Sequence, residues 1–194
     1  MRPRRYGDSG QAFPIYITVV GGLLFLALAY LAVGQAAVNR NGAQTAADAA
    51  ALAAAMNTRD ELADQWVQDV LDPTKWQDVF DGRVDVADSC WRAAQLASEN
   101  DATAQCTPEP PLSYRVDART NKTVGDSVVP GTESIRSTAQ ATAVIEPLCT
   151  FTLSGADGGV LPELTCKDRN WTLDPDDLTD LPGPEDLFDV HLAG

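Results

Sequence analysis

The longest apolar stretch of the chain lies close to its N-terminus. Residues 13–33 read FPIYITVVGGLLFLALAYLAV, with Thr18 as the polar interruption. As an α-helix, this stretch would be about 31 Å long, which is the thickness of the hydrocarbon core of a bilayer. Apolar residues occupy every side of that helix, as expected where the surrounding solvent is lipid. The pattern therefore predicts a transmembrane helix, which we place at residues 11–38.

A cleaved signal peptide is the alternative interpretation of this segment. The basic residues Arg2, Arg4 and Arg5 precede the apolar stretch, and Ala32-Val33-Gly34 has the small-x-small form of a cleavage site. The apolar part of a signal peptide is usually about 7–15 residues long, so the greater length here favours an uncleaved anchor. In either case the positive-inside rule predicts a cytoplasmic basic stub, residues 1–10, with the rest of the chain outside the cytoplasm.

A second helical pattern follows at residues 39–72. Nine of the thirteen residues from Ala43 to Ala55 are alanine, the best helix former, and the first proline after them is Pro73. Apolar residues also recur at helical spacings, which predicts an amphipathic helix whose packing stripe consists of Leu52, Met56, Ala63, Trp66 and Val70. This helix either continues the membrane helix as one rod or bends at Asn39, Asn41 and Gly42.

Alanine faces allow other elements to approach closely, so three alanines of this helix are candidates for packing. Ala47, Ala50 and Ala54 are separated by three and four residues and therefore lie on one face. That face is expected to pack either on another copy or a related subunit, or on the chain's own domain.

Residues 73–172 carry the pattern of a small α+β domain. Short helices are predicted from Pro73 to Gly82 and from Val86 to Ser98. From Ser113 the apolar period changes to two, which predicts antiparallel strands with inward-facing positions at Tyr114, Val116, Ala118, Ile135, Ser137, Ala139, Ala141, Ala143 and Ile145. Helices followed by strands, rather than an alternation of the two, indicate the α+β class.

Charge and cysteine content narrow the possible functions. The formal net charge is −14, and from Asn41 onward ten basic residues face twenty-seven acidic ones. Such a chain repels nucleic acid, so we predict no nucleic-acid partner.

The four cysteines indicate disulfide bonds. Cys90, Cys106, Cys149 and Cys166 all follow the membrane helix, and an even number outside the cytoplasm predicts two disulfides. Three pairings are possible, and the sequential one closes two short loops. The alternative, a zinc site, is disfavoured because the cysteines lack CxxC spacing and have no histidines nearby in the sequence.

The final stretch, residues 173–194, is rich in acidic residues. Seven acidic residues and no basic one occur from Asp174 to Gly194, which predicts a solvated, poorly ordered tail. Two further interpretations stay open. Asp174, Asp176, Asp177 and Asp180 suggest calcium but lack the EF-hand pattern, and the interleaved Leu178, Leu181, Leu187 and Phe188 would suit a basic groove on a partner.

The order of the N-terminal features resembles a known family. A basic stub, Gly10-Gln11-Ala12, one apolar helix and then the run QTAADAAALA from Gln44 to Ala53 resemble the TadE/TadG-like proteins of Tad-type (tight adherence, Flp pilus) assembly, particularly actinobacterial ones. The resemblance covers roughly residues 9–56. It implies a membrane-anchored, minor-pilin-like component of a pilus or secretion apparatus.

One position departs from the pattern of polymerising members. Many prepilin-like members are cut after a glycine and carry a glutamate five residues later. If Gly10 is that glycine, Ile15 occupies the position of the glutamate. The chain therefore resembles a TadG-type accessory protein more than a shaft subunit.

These observations predict a structural protein rather than an enzyme. The sequence holds no GxSxG, HExxH or phosphate-binding glycine motif, and it carries a single histidine. We expect no cofactor or metal. The expected partners are membrane lipid and other pilus-assembly or envelope proteins that bind the N-terminal helix, with a homo-oligomer as a further option. The alternative function is a secreted or anchored adhesion or ligand-binding module that uses the sheet and the tail.

Overall fold

The structure, a computed structural model, describes residues 12–123, 134–153 and 161–193. The expected basic stub at residues 1–10 lies outside these ranges, as does Gly194. In chain order the helices are α1 (Ala12–Gln68), α2 (Trp76–Phe80), α3 (Cys90–Glu99) and α4 (Pro184–Leu187). The strands are β1 (Ala102–Glu109), β2 (Ser113–Thr120), β3 (Thr138–Pro147), β4 (Cys149–Phe151), β5 (Leu164–Cys166), β6 (Asn170–Trp171) and β7 (Phe188–Leu192).

Helix α1 contains both predicted N-terminal helices in one continuous rod. It has 57 residues and is therefore about 85 Å long. Asn39, Asn41 and Gly42 continue the helix without a break. From Phe13 to Val38 its side chains are largely exposed, and this apolar part is long enough to cross a membrane. The membrane helix and the helix of the folded domain are thus the same element.

Two antiparallel sheets complete an α+β fold, which confirms the predicted class. The larger sheet has the order β1-β2-β3-β7 and the smaller one the order β4-β5-β6. The second half of α1 lies against the larger sheet, and α3 packs beside it against β1. On β2 the buried positions alternate through Tyr114, Val116 and Ala118, and on β3 through Ala141, Ala143 and Ile145, as the period of two predicted. The prediction is wrong at Ile135, which precedes β3 and is 49% exposed.

The face of α1 that packs is made of alanine. The fully buried alanines of this helix are Ala43, Ala46, Ala47, Ala50, Ala51, Ala54 and Ala55. Of the predicted stripe, Ala63, Trp66 and Val70 are buried and Leu52 packs partly buried against the core, whereas the prediction is wrong at Met56, which is 46% exposed. Alanine forms the buried face because the sheet also presents small residues there, Ala118, Ala141 and Ala143. Small side chains on both sides allow helix and sheet to approach closely.

The core thickens towards the far end of α1, where large side chains replace alanine. Trp66 stacks at a tilt on Trp76 with 5.4 Å between ring centroids, and Trp76 meets the edge of Phe151 at 5.2 Å. Phe80 contacts Phe188 at 5.5 Å. The described core therefore consists of small residues near the apolar part of α1 and of large aromatic side chains at the far end of this helix.

The expectation of a poorly ordered acidic tail is wrong for its last part. Residues 188–192 form β7, which pairs with β3 in antiparallel register, with Ala143 opposite Leu192. Leu187 and Phe188 are almost completely buried, so these two residues fill the chain's own core rather than a groove on a partner. Burial of these apolar side chains outweighs the acidic composition around them.

Two disulfides join neighbouring elements in the sequential pairing. Cys90–Cys106 links the start of α3 to β1, and Cys149–Cys166 links β4 to β5. The two bridges close loops with sequence separations of 16 and 17 residues, and each contributes roughly 3 kcal/mol by restricting the unfolded chain.

The cysteines should therefore be unreactive in the folded protein. We expect thiol alkylation of the unreduced full-length chain to label none of the four, and labelling to become complete once a reductant and a denaturant are added. Peptide mapping should recover the linked pairs Cys90–Cys106 and Cys149–Cys166. Full labelling of even one cysteine before reduction would contradict the pairing.

Ala50→Leu should destabilise the fold itself. Ala50 is fully buried, so three extra carbons have to displace the sheet or α3, a change that typically costs about 1–3 kcal/mol. Ala94→Leu is the matched control, since Ala94 is an exposed alanine of α3. Chemical unfolding of the detergent-solubilised chain, followed by circular dichroism, should show a lower midpoint for Ala50→Leu alone. Equal midpoints for both variants would show that the alanine face does not pack as described.

Candidate assembly surface

The three alanines predicted for helix packing are not on the surface. Ala47, Ala50 and Ala54 are each fully buried and belong to the chain's own core. A partner helix would reach them only if the sheet moved away. The face of α1 that is available to a partner is therefore the opposite one.

That available face forms a shallow groove between α1 and α3. Ala49, Ala53 and Met56 of α1 line one side, and Trp91 and Leu96 of α3 line the other. Met56 is 46% exposed and Trp91 is 57% exposed, although both side chains are large and apolar. Together these five residues, which we call the α1–α3 groove, form an apolar strip in a domain whose surface is otherwise strongly acidic.

A buried polar network fixes α3 in place beside α1. The hydroxyl of Thr58 lies 2.7 Å from the Ser89 hydroxyl and 2.7 Å from the Tyr114 hydroxyl, and both Thr58 and Ser89 are buried. The Ala87 backbone N–H donates to the Glu61 carboxylate at 3.0 Å. These bonds tie the segment before α3 to α1 and to β2, so the position of Trp91 follows from a satisfied core network.

The rim of the groove is polar. Arg59 pairs with Asp60 at 2.8 Å, and the Arg92 guanidinium donates to the Gln95 side chain at 2.7 Å. Exposed ion pairs of this kind contribute little stability. An apolar floor with a charged rim is the usual anatomy of a protein interface.

The α1–α3 groove was not predicted from the sequence. A signal for it exists, because Ala49, Ala53 and Met56 follow at spacings of four and three and occupy the face that remains once Ala46, Ala50 and Ala54 turn inward. Trp91 belongs to the groove because α3 packs beside α1, and the position of α3 cannot be predicted from a local sequence pattern.

The groups with shifted pKa values belong to surface pairs rather than to a reactive centre. Hydrogen bonds from Lys75 and Gln65 lower the pKa of Asp69, and the same contact with Asp69 raises the pKa of Lys75. The hydrogen bond to Asp78 raises the pKa of Arg83. Asp69, Lys75 and Arg83 lie around the end of α1 and α2, where their contacts hold the turn after α1.

The acidic residues considered for calcium form local turns. Asp174 accepts a hydrogen bond from the Asp176 backbone, and Asp177 accepts two from Thr179, which lower the pKa of Asp177. Asp180 pairs with Arg169 at 3.2 Å. Within the described ranges, no group of three or more His, Cys, Asp or Glu side chains is arranged to hold a metal ion.

Comparisons with known proteins address the N-terminal segment. No curated protein and no solved structure matches the chain significantly. A family model described as putative Flp pilus-assembly TadE/G-like matches residues 10–57. The matched segment covers the apolar half of α1 and the alanine face up to Asn57. Over these residues the chain is similar to the TadE/TadG-like family of Flp pilus assembly, and the resemblance predicted from the sequence is confirmed.

Proposed function

We propose that the chain is a membrane-anchored structural component of a Tad/Flp-type pilus or secretion apparatus, of the minor-pilin-like TadG type. The observation that carries this proposal is the coincidence of the family match with α1. Residues 10–57 contain the whole exposed apolar helix and the turns that enter the core of the domain. The segment that resembles pilus-assembly proteins is therefore the one that connects a membrane to a folded domain.

The topology we propose has a cytoplasmic N-terminus and an extracytoplasmic domain. Arg2, Arg4 and Arg5 before the apolar helix support this orientation through the positive-inside rule. The two disulfides support it as well, because such bonds persist in oxidising compartments outside the cytoplasm.

An accessory role is favoured over that of a shaft subunit. If Gly10 is the glycine of a prepilin cleavage site, Ile15 occupies the position of the glutamate of polymerising members, and Ile15 is an exposed apolar residue in the first turns of α1. It offers no charge to pair with a neighbouring subunit inside the membrane. We therefore assign the chain to assembly or to a minor position rather than to the bulk of a filament.

The α1–α3 groove is the surface that we propose for a second pilus-assembly protein. Three of its residues, Ala49, Ala53 and Met56, lie within the segment matched by the family model. Its small residues and two exposed large ones suit an apolar helix that rises from the same membrane beside α1. The alternative function, an adhesion or ligand-binding module, relied partly on a free tail, and residues 187–192 of that tail belong to the core and the sheet.

The full-length chain should remain in the membrane. Because the apolar segment exceeds the usual length of a signal peptide, we expect fractionated cells to hold the protein in the membrane pellet with residues 13–33 intact. It should be scarce in sheared pili. N-terminal sequencing that finds a soluble mature form beginning near Gln35 would contradict the anchor, and dominance in the sheared fraction would contradict the accessory role.

Met56→Glu should weaken assembly while the fold survives. A carboxylate in the groove would be desolvated beneath a partner helix, which disfavours binding. Val67→Glu is the matched control, because Val67 is also an exposed apolar residue of α1, at 42%, but lies outside the groove. Co-purification with the other Tad components expressed from the same cluster should be lost for Met56→Glu and retained for Val67→Glu. Equal retention by both variants would exclude the groove as the contact.

A further inference from the structure

Within the described residues, the domain approaches the apolar part of α1 at Lys122 and Thr123 and forms an apolar cleft there. Lys122 and Thr123, which follow β2, face the α1 residues Tyr30, Leu31, Gly34, Gln35, Val38 and Asn39 across this cleft. Leu31 and Val38 are well exposed within it. Among the described residues, no side chain fills this cleft, so its location relative to the bilayer indicates which ligand it suits.

The packing of α1 on the sheet shows which end of the domain this is. The side-chain amide of Gln44 donates to the Gln140 carbonyl at 3.5 Å, whereas Thr58, fourteen residues further along α1, bonds the Tyr114 hydroxyl. Strand β2 therefore descends from Tyr114 towards the membrane half of α1. Lys122 comes after the lower end of β2, at the edge of the domain nearest to the apolar helix.

The length of the apolar segment places the cleft at the level of lipid headgroups. From Phe13 to Val38 the helix carries no charge and is about 39 Å long, roughly 9 Å more than the hydrocarbon core of a bilayer. The turns near Gly34 and Val38 therefore lie at the boundary between acyl chains and headgroups. Arg40 follows one half-turn beyond Val38.

Two basic residues, Lys122 and Arg40, lie near the cleft, whereas most charged residues of the domain are acidic. Lys122 is 76% exposed at its side chain and pairs with Asp101 at 2.6 Å. A lysine ammonium has three donors, so one carboxylate leaves it able to bind a further anion. Lys122 and Arg40 thus present cations at the base of a body with ten basic and twenty-seven acidic residues.

We propose that this cleft binds one anionic phospholipid of the surrounding bilayer. The Lys122 ammonium donates to the phosphate, and an acyl chain lies along Leu31, Gly34 and Val38. The apolar walls suit an acyl chain, the cation suits the phosphate, and the site is continuous with the membrane-spanning surface of α1. This inference rests on the membrane anchoring proposed above. A lipid held there would fix the distance between the domain and the bilayer.

Two variants separate the two parts of the site. Lys122→Gln removes the charge and keeps a polar side chain that is only one atom shorter. Gly34→Leu fills the apolar part, and a Cβ at Gly34 meets no described atom within 4 Å, so the larger side chain enters without a clash. Gly21→Leu is the control for the second variant, because Gly21 is equally open but lies deeper in the apolar segment. Lys167→Gln is the control for the first, since Lys167 follows β5 and is exposed.

The measurement is native mass spectrometry of the full-length chain in mild detergent with added phosphatidylglycerol, compared with phosphatidylcholine of the same acyl chains. We expect one phosphatidylglycerol per chain to be retained in preference to phosphatidylcholine. Lys122→Gln should reduce that retention about fivefold, the effect of one basic residue near an anionic surface. Gly34→Leu should reduce retention of both lipids, and the two controls should match the parent chain.

Two results would overturn the lipid site. One is equal retention of both lipids by the parent chain, and the other is unchanged phosphatidylglycerol retention in both Lys122→Gln and Gly34→Leu. Membrane fractionation of the same variants separates this failure from failure of the anchor, because a parent chain in the soluble fraction contradicts the proposed function itself. A circular dichroism spectrum and an unfolding midpoint equal to those of the parent chain verify that each variant is folded.

Discussion

Close contact between the alanine face of α1 and the small residues of the sheet is the constraint on which the rest of the fold depends. Each alanine contributes little buried area, so the stability of this contact comes from many short-range dispersion contacts made at small separation. The arrangement tolerates no larger side chain on either side. Met56, a larger apolar residue of the same helix, lies outside this contact and is 46% exposed, so it is available to a partner. The spacing of alanines along α1 thus determines both which face of the helix packs on the sheet and which face remains available to a partner.

Aromatic contacts and two disulfides add to the alanine contact. Around Trp66, Trp76 and Phe188 the core gains large aromatic side chains, and each disulfide links two neighbouring elements. Cys90–Cys106 holds β1, the outer strand of the larger sheet, to α3. Cys149–Cys166 holds a sheet whose strands have only two or three residues, too short to be stable by hydrogen bonding alone.

Much of this architecture could be predicted from local sequence patterns, and the remainder depends on contacts between distant residues. The apolar run, the alanine run and the alternation on β2 and β3 are strong periodic signals, so α1 and the centre of the larger sheet follow from them. Strand β1 reads ATAQCTPE, whose polar residues and Pro108 conceal an edge strand. Strand β7 follows an acidic stretch, and pairing with β3, more than forty residues earlier in the chain, decides its conformation. The α1–α3 groove depends on the placement of α3 and was missed for the same reason.

The absence of a break between the two halves of α1 has a mechanical consequence. A flexible joint at Asn39 to Gly42 would let the domain swivel above the membrane, whereas a continuous helix transmits torque. With such a helix, the rotation of the apolar half of α1 about its own axis in a bilayer would also determine the direction in which the α1–α3 groove faces. A neighbouring protein that binds the apolar half of α1 within the lipid would therefore also set the rotation of the folded domain outside the lipid.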